Sequence, residues 1–209
     1  VDVAMRLLDI IRSIEESAVP LRPYIAWEER ELMKQANASA ERFSKGKSLG
    51  ILDGVPVSVK DELDMLPFKT MIGTRFYSNQ PPEQDATSVA RLRSAGALMV
   101  GKTNMHEIGL GVTGLNIHYG TTRNPHHLDH YPGGSSSGSA AAVAAGLSPI
   151  ALGCDGGGSI RIPASLCGVV GLKTTWGRIS TAGSAPLHWS IGSVGPITST
   201  ARDAAIAYS

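Results

Sequence analysis

Two cysteines, 5% aromatic residues and a net charge of +1 deprive this 209-residue chain of several common signatures. Cys154 and Cys167 both stand in apolar or glycine-rich segments, so they read as buried thiols of a reducing compartment and not as a disulfide framework. Lys and Arg are scattered without a dense run, which leaves no electrostatic footprint for nucleic acid. No apolar run reaches the roughly 18 residues that a membrane span needs. The nearest, residues 140–153, is interrupted by Gly146, Ser148 and Pro149. No secretory leader is recognisable at the start, and the chain opens at Val1 in an established helical pattern, as a piece of a longer polypeptide would. The expected location is intracellular, either cytoplasmic or peripheral to an internal membrane. Internal repeats and low-complexity linkers are also missing.

What is present is an ordinary globular balance, 42% hydrophobic and 18% charged, with 24 glycines concentrated between residues 101 and 195. The length suggests one domain, or one and a part. Val3, Leu7, Ile10, Ile11 and Ile14 recur at helical spacing over residues 1–17. Leu32, Ala36, Ala40 and Phe43 predict a second helix over 27–43. Residues 54–60 alternate, with Val55, Val57 and Val59 against Pro56, Ser58 and Lys60, which is a strand pattern. Asp85 is placed to cap a helix through Val89, Leu92 and Ala95 that ends at Gly96. Further elements are expected as a strand at 97–101, a helix start at 104–109, an Ala-rich helix at 135–145, a strand at 149–153 and a helix from about Thr200. Strands alternating with helices predict an α/β fold in which helices sandwich a buried, mixed central β-sheet.

CDGGGSIRIP, residues 154–163, removes three side chains in succession just before Ser159. Consecutive amides of Gly156, Gly157, Gly158 and Ser159 can form a concave nest for an anion, and the missing Cβ atoms leave room for a substrate. If Ser159 attacks a carbonyl, the oxyanion develops beside those amides. A second cluster, Gly134 to Gly138, matches G-x-S-x-G, the nucleophile elbow. The preceding HHLDHYP cannot form the strand that such an elbow requires, so that reading is rejected. A base is still needed. Six histidines are available: His106, His118, His126, His127, His130 and His188. His126, Asp129 and His130 sit in a polar, proline-flanked loop without a completing metal ligand and read as structural or solvated. Lys60, flanked by valines on its strand, is the alternative, because burial of its amine would favour the neutral form. A snorkelling surface lysine is the other reading of the same spacing.

GVPVSVKD (54–61), GKTNM (101–105), GTTRNP (120–125), PGGSSSGSAAAVAAG (132–146) and LGCDGGGSIRIPASLCGVVGLKTTWGR (152–178) together resemble the amidase signature family of serine hydrolases. The similarity runs through nearly the whole chain in the family's order, with 75 residues from Lys60 to Ser135 and 24 from Ser135 to Ser159. The resemblance implies a partial amidase signature domain over 1–209, with N-terminal helices at 1–44 and a catalytic core at 50–209 that is incomplete at its C-terminus. It implies hydrolysis of carbon–nitrogen amide bonds through an acyl-enzyme, with Lys60 as base, Ser135 as relay and Ser159 as nucleophile. It implies a cis peptide at Gly134–Ser135, a bracing role for Ser136, a loop pinned by Asp155 and Arg161, and Gly109 beside the substrate channel. Neither a metal nor a cofactor is required. GTTRNP, GGGSIRIP and GLKTTWGR look most like the fatty acid amide hydrolase branch, especially its plant-like members. Gly156 and Thr174 depart from the threonine and proline often found there. GKTNMHEIGLG and the serine block also resemble the A chain of glutamyl-tRNA amidotransferases, and a catalytically incomplete fragment is the third reading. The expected partner is a small-molecule amide of lipid type and no nucleic acid; peripheral membrane contact and a homodimer are left open.

Overall fold

The computed structural model describes residues 1–187 and 189–209. A six-stranded mixed sheet forms the centre. Its strands are β1 (Tyr24–Trp27), β2 (Pro56–Lys60), β3 (Leu98–Thr103), β4 (Ile150–Asp155), β5 (Val170–Gly171) and β6 (Ser193–Thr198), in the order β1-β3-β2-β4-β6-β5. β2 pairs in parallel with β3 and β4, while β1 and β6 run antiparallel to β3 and β4 respectively. The helices are α1 (Asp2–Glu15), α2 (Glu29–Ser44), α3 (Thr87–Ser94), α4 (Ser137–Ala144), α5 (Arg161–Leu166) and α6 (Ala201–Tyr208).

Both faces of the sheet are covered. On one, Leu7, Leu8 and Ile11 of α1 and Leu32 of α2 pack with Leu98 and Val100, and α4 and α5 cover Ala151 and Ile197. On the other, Val89 and Leu92 of α3 pack with Val57, Val59, Met99 and Leu152. This double covering changes the meaning of the alternation in β2. Ser58 and Lys60, on the face opposite the valines, are as buried as the valines. Ser58 is satisfied there by hydroxyls of Tyr24 and Ser148, each at 2.7 Å. The snorkelling reading of Lys60 is thereby excluded, since its exposure is 0%.

Several expectations shift. The buried stripe of α1 is Ala4, Leu7, Leu8 and Ile11, so Val3 and Ile10 face outward. Phe43 is exposed as well. Asp85 caps no helix: its carboxylate accepts from the Leu66 amide at 2.7 Å and from Arg93 Nε at 2.7 Å, and α3 starts without a side-chain cap. The helix expected over 104–109 reduces to a short 3₁₀ turn at Glu107–Gly109, because Ile108 and Gly109 adopt φ of 54° and 67°. α6 starts where expected, with the Thr200 hydroxyl accepting from the Asp203 amide at 3.1 Å.

α4 is buried along nearly its whole length, and its small residues make this possible. A Cβ on Gly138 would lie 2.5 Å from the Asn104 amide nitrogen and closer still to the Pro23 carbonyl oxygen, both fixed main-chain atoms. That contact sets how deeply the start of α4, and the serines before it, enter the fold. Gly138→Ala is expected to destabilise the protein by about 1–3 kcal/mol through overpacking. Chemical denaturation checks it, and an unchanged midpoint would show that the backbone yields freely at this position.

Candidate active site

β2, β4 and the segment before α4 converge at one end of the sheet. β2 ends on Lys60, whose buried Nζ donates to Ser135 Oγ at 2.8 Å and to the Cys154 carbonyl oxygen at 3.4 Å. Glu62, two residues beyond, brings Oε2 to 2.7 Å from the same Nζ. The peptide Gly134–Ser135 is cis. Ser135 is held from the opposite side by its carbonyl oxygen, which accepts from the His106 amide at 3.0 Å. Ser136 braces the same junction: its amide donates to the Ser159 carbonyl oxygen at 3.1 Å and its hydroxyl to the Cys154 carbonyl oxygen at 3.3 Å.

Asp155, at the end of β4, organises the glycine loop. Its carboxylate, fully buried, accepts from the amides of Gly158, Ile160 and Arg161 at 2.8, 3.1 and 3.3 Å. Arg161 adds a two-pronged contact, Nε and Nη2 each at 3.0 Å. Burial pushes the Asp155 carboxyl upward, but the Arg161 guanidinium and the three amides outweigh it and hold the group below its ordinary value. The predicted nest is therefore smaller than expected. The Gly158 amide is turned to Asp155 and is no candidate for an oxyanion, whereas the amides of Gly156, Gly157 and Ser159 are unengaged among the described residues. Gly158 has a separate need for glycine, with φ at 131° and a Cβ that would strike Ile162.

Ser135, Ser159, Gly109, Gly156 and Gly157 line one cavity of ≈ 220 Å³. No hydrogen bond joins the hydroxyls of Ser135 and Ser159 among the described residues, so the geometry links Lys60 to Ser135 and leaves the second link open. Such contacts commonly tighten only when substrate binds. Cys154 also lines the cavity. Burial, and then the Glu62 carboxylate, hold its thiol well above the ordinary value, which removes it as a competing nucleophile.

Both cysteines are free and buried, as expected. The rings of the described histidines engage other groups: His106 Nδ1 lies 3.4 Å from the Thr113 hydroxyl, His126 Nε2 bonds the Cys167 carbonyl oxygen at 2.9 Å, His118 faces Glu107, and His127 packs edge-on against His130. His188 lies outside the described residues. No cluster of potential metal ligands occurs among the described residues, and turns rather than a strand precede the G-x-S-x-G match. None of the described helices is long and apolar enough to cross a membrane. Sequence reasoning missed Glu62 and a second buried lysine, Lys102. Lys102 Nζ donates to the Leu63 carbonyl oxygen at 2.5 Å and approaches Asp61 at 3.4 Å. Burial pushes Lys102 down and Asp61 up, both toward neutrality. A carboxylate two residues from Lys60 in KDE was the signal available for Glu62.

The fold thus gathers a buried lysine bonded to one serine, a second serine on the same cavity and a set of unengaged amides. The amidase family model matches residues 8–209, and the chain belongs to that family. It is 48% identical over 207 residues to the fatty acid amide hydrolase of Arabidopsis thaliana, covering 99% of this chain and 34% of that protein. It is 44% identical to the A chain of the glutamyl-tRNA(Gln) amidotransferase of Desulforapulum autotrophicum, over 98% of this chain and 41% of that one. The native peptide amidase of Stenotrophomonas maltophilia superposes with a TM-score of 0.94 at 36% identity, covering 99% of this chain and 43% of that one. The chain thus spans about a third of the plant relative and under half of the others.

The lowered Asp155 carboxyl has a consequence for acid stability. The folded protein gives up this charge only at a pH below that of the unfolded chain, whose ordinary value is 3.8. Its stabilisation is complete above that value and is lost as pH falls through the folded one. Asp155→Asn should cost about 1–3 kcal/mol at neutral pH, since buried amides lose their anionic acceptor, and should flatten the acid-side decline. Thermal unfolding over a pH series measures both; a variant with the parent's acid slope would count against this assignment.

Proposed function

We propose that the full-length protein hydrolyses carbon–nitrogen amide bonds with Lys60 as general base, Ser135 as proton relay and Ser159 as nucleophile. One observation carries the reading: the amine of a lysine with no exposed surface lies 2.8 Å from Ser135 Oγ, at the edge of the cavity that holds Ser159. Neutral Lys60 takes the proton of Ser135 as Ser135 takes that of Ser159. Ser159 Oγ adds to the amide carbon, and the carbonyl oxygen becomes an oxyanion against the amides of Gly156, Gly157 and Ser159. Lys60 returns its proton through Ser135 to the departing nitrogen, which could not leave as an anion. Water then cleaves the acyl-enzyme.

A fatty acid amide, such as an N-acylethanolamine, is the substrate class we favour. The plant relative supports it, and so does the cavity's rim. Leu110, Val112 and Trp189 are 77%, 53% and 81% exposed there, an apolar margin along which an acyl chain can lie. At ≈ 220 Å³ the cavity itself is below the roughly 300–1,000 Å³ of common ligand sites, enough for the reacting group alone. A second reading, a glutaminase of the amidotransferase type, is favoured by the 44% identity to the amidotransferase chain.

A fluorophosphonate probe should label the full-length protein at Ser159, and Lys60→Ala should lower amide turnover by several orders of magnitude. Labelling that persists in Ser159→Ala would refute the nucleophile assignment. Turnover of a long-chain N-acylethanolamine against ammonia release from glutamine separates the two substrate classes.

A further inference from the structure

Among the described residues Glu62 is the one carboxylate in contact with the Lys60 amine, and nothing in the proton path above uses it. Its Oε2 lies 2.7 Å from Nζ, with the two side chains 8% and 0% exposed. The backbone fixes it firmly, since the Glu62 carbonyl oxygen accepts from the Ala185 amide at 2.9 Å. The ionisable groups facing it are Lys60 from β2 and the Cys154 thiol from β4, which is held protonated. The carboxylates nearby are turned elsewhere: Asp61 to Lys102, Asp64 to the Thr70 hydroxyl, Glu107 to His118 and Asp155 to Arg161. A carboxylate at this depth is costly unless a polar neighbour answers it, and the Lys60 amine is the group placed to do so.

We propose that Glu62 is a positioning residue for Lys60: its carboxylate holds Nζ against Ser135 and balances the positive charge that Lys60 gains on taking the proton. This rests on Lys60 being the base. Before the transfer the pair is a carboxylate beside a neutral amine. The proton leaves Ser159 for Ser135, and that of Ser135 passes to Lys60 Nζ. The new ammonium then faces Glu62 while the oxyanion forms at the glycine loop. Glu62 neither gains nor loses a proton. Its charge favours the ammonium, so it aids the transfer.

The test is the pH dependence of kcat/KM for amide hydrolysis by the full-length protein, compared with Glu62→Gln and Glu62→Asp. Glu62→Gln should lower the maximal kcat about ten- to a hundredfold. It should also move the acid limb to lower pH by about 1 unit or more, because the amine stays neutral further into acid once its anionic partner is gone. KM should change little. Glu62→Asp, one methylene short, should move the limb the same way by less. If the glutamine variant fails to fold by circular dichroism, the aspartate variant decides alone. An acid limb that stays in place in a folded variant overturns the proposal. Lys60→Ala in the same series separates the two ideas: full activity there defeats the base assignment itself, whereas an inactive Lys60→Ala beside an unmoved Glu62 limb defeats only the role of Glu62.

Discussion

The hydrogen bond from Lys60 to Ser135 joins residues 75 positions apart, and the rest of the architecture serves to make it. A lysine reaches the interior only if water is excluded from all sides and polar groups wait for its amine. The sheet supplies the exclusion, since β2 lies in the middle with helices over both faces. Ser135, Glu62 and the Cys154 carbonyl supply the polar groups. The tight seating of α4 on the Asn104 backbone holds the serine segment at the right depth.

The glycine loop poses the complementary problem, how to leave main-chain donors free without letting the loop collapse onto them. Asp155 solves it by engaging every second donor or so. It binds the amides of Gly158, Ile160 and Arg161 and leaves those of Gly156, Gly157 and Ser159, residues that line the cavity, without a partner among the described residues. A preorganised donor of this kind is worth roughly 2.7–4 kcal/mol to an oxyanion when water is kept out. Two of the three glycines therefore have different reasons to be glycine. Gly157 borders open space on the cavity lining, while Gly158 adopts a backbone conformation that side chains avoid.

Much of this was legible from residues alone. The apolar periodicities located α1, α2 and α3, and the family resemblance singled out Lys60, Ser135 and Ser159, which the fold does gather at one end of the sheet. What failed had physical reasons. The alternation in β2 left Lys60 between a buried and a snorkelling reading, and only the tertiary covering of both faces decides it. β1, β5 and β6 carry little pattern of their own: β1 and β5 are four and two residues long, and β6 is interrupted by Gly195 and Pro196. Asp85 looked like a cap until an arginine a helix-length away claimed it. The Gly158 amide and Glu62 depended on side-chain direction at a turn, which periodicity does not encode. Lys102 stands in GKTNM, where nothing in the spacing separates a buried lysine from an exposed one.

The central claim is a lysine acting through a serine on a second serine set among main-chain amides. A crystal structure of the full-length protein after reaction with a fluorophosphonate tests it most directly. The account predicts phosphorus bonded to Ser159 Oγ, its oxygen within hydrogen-bond distance of the Gly156, Gly157 or Ser159 amides, and Ser135 Oγ between Lys60 Nζ and the adduct. Phosphorus on any other side chain, or an adduct at Ser159 with Lys60 turned away from Ser135, would contradict it.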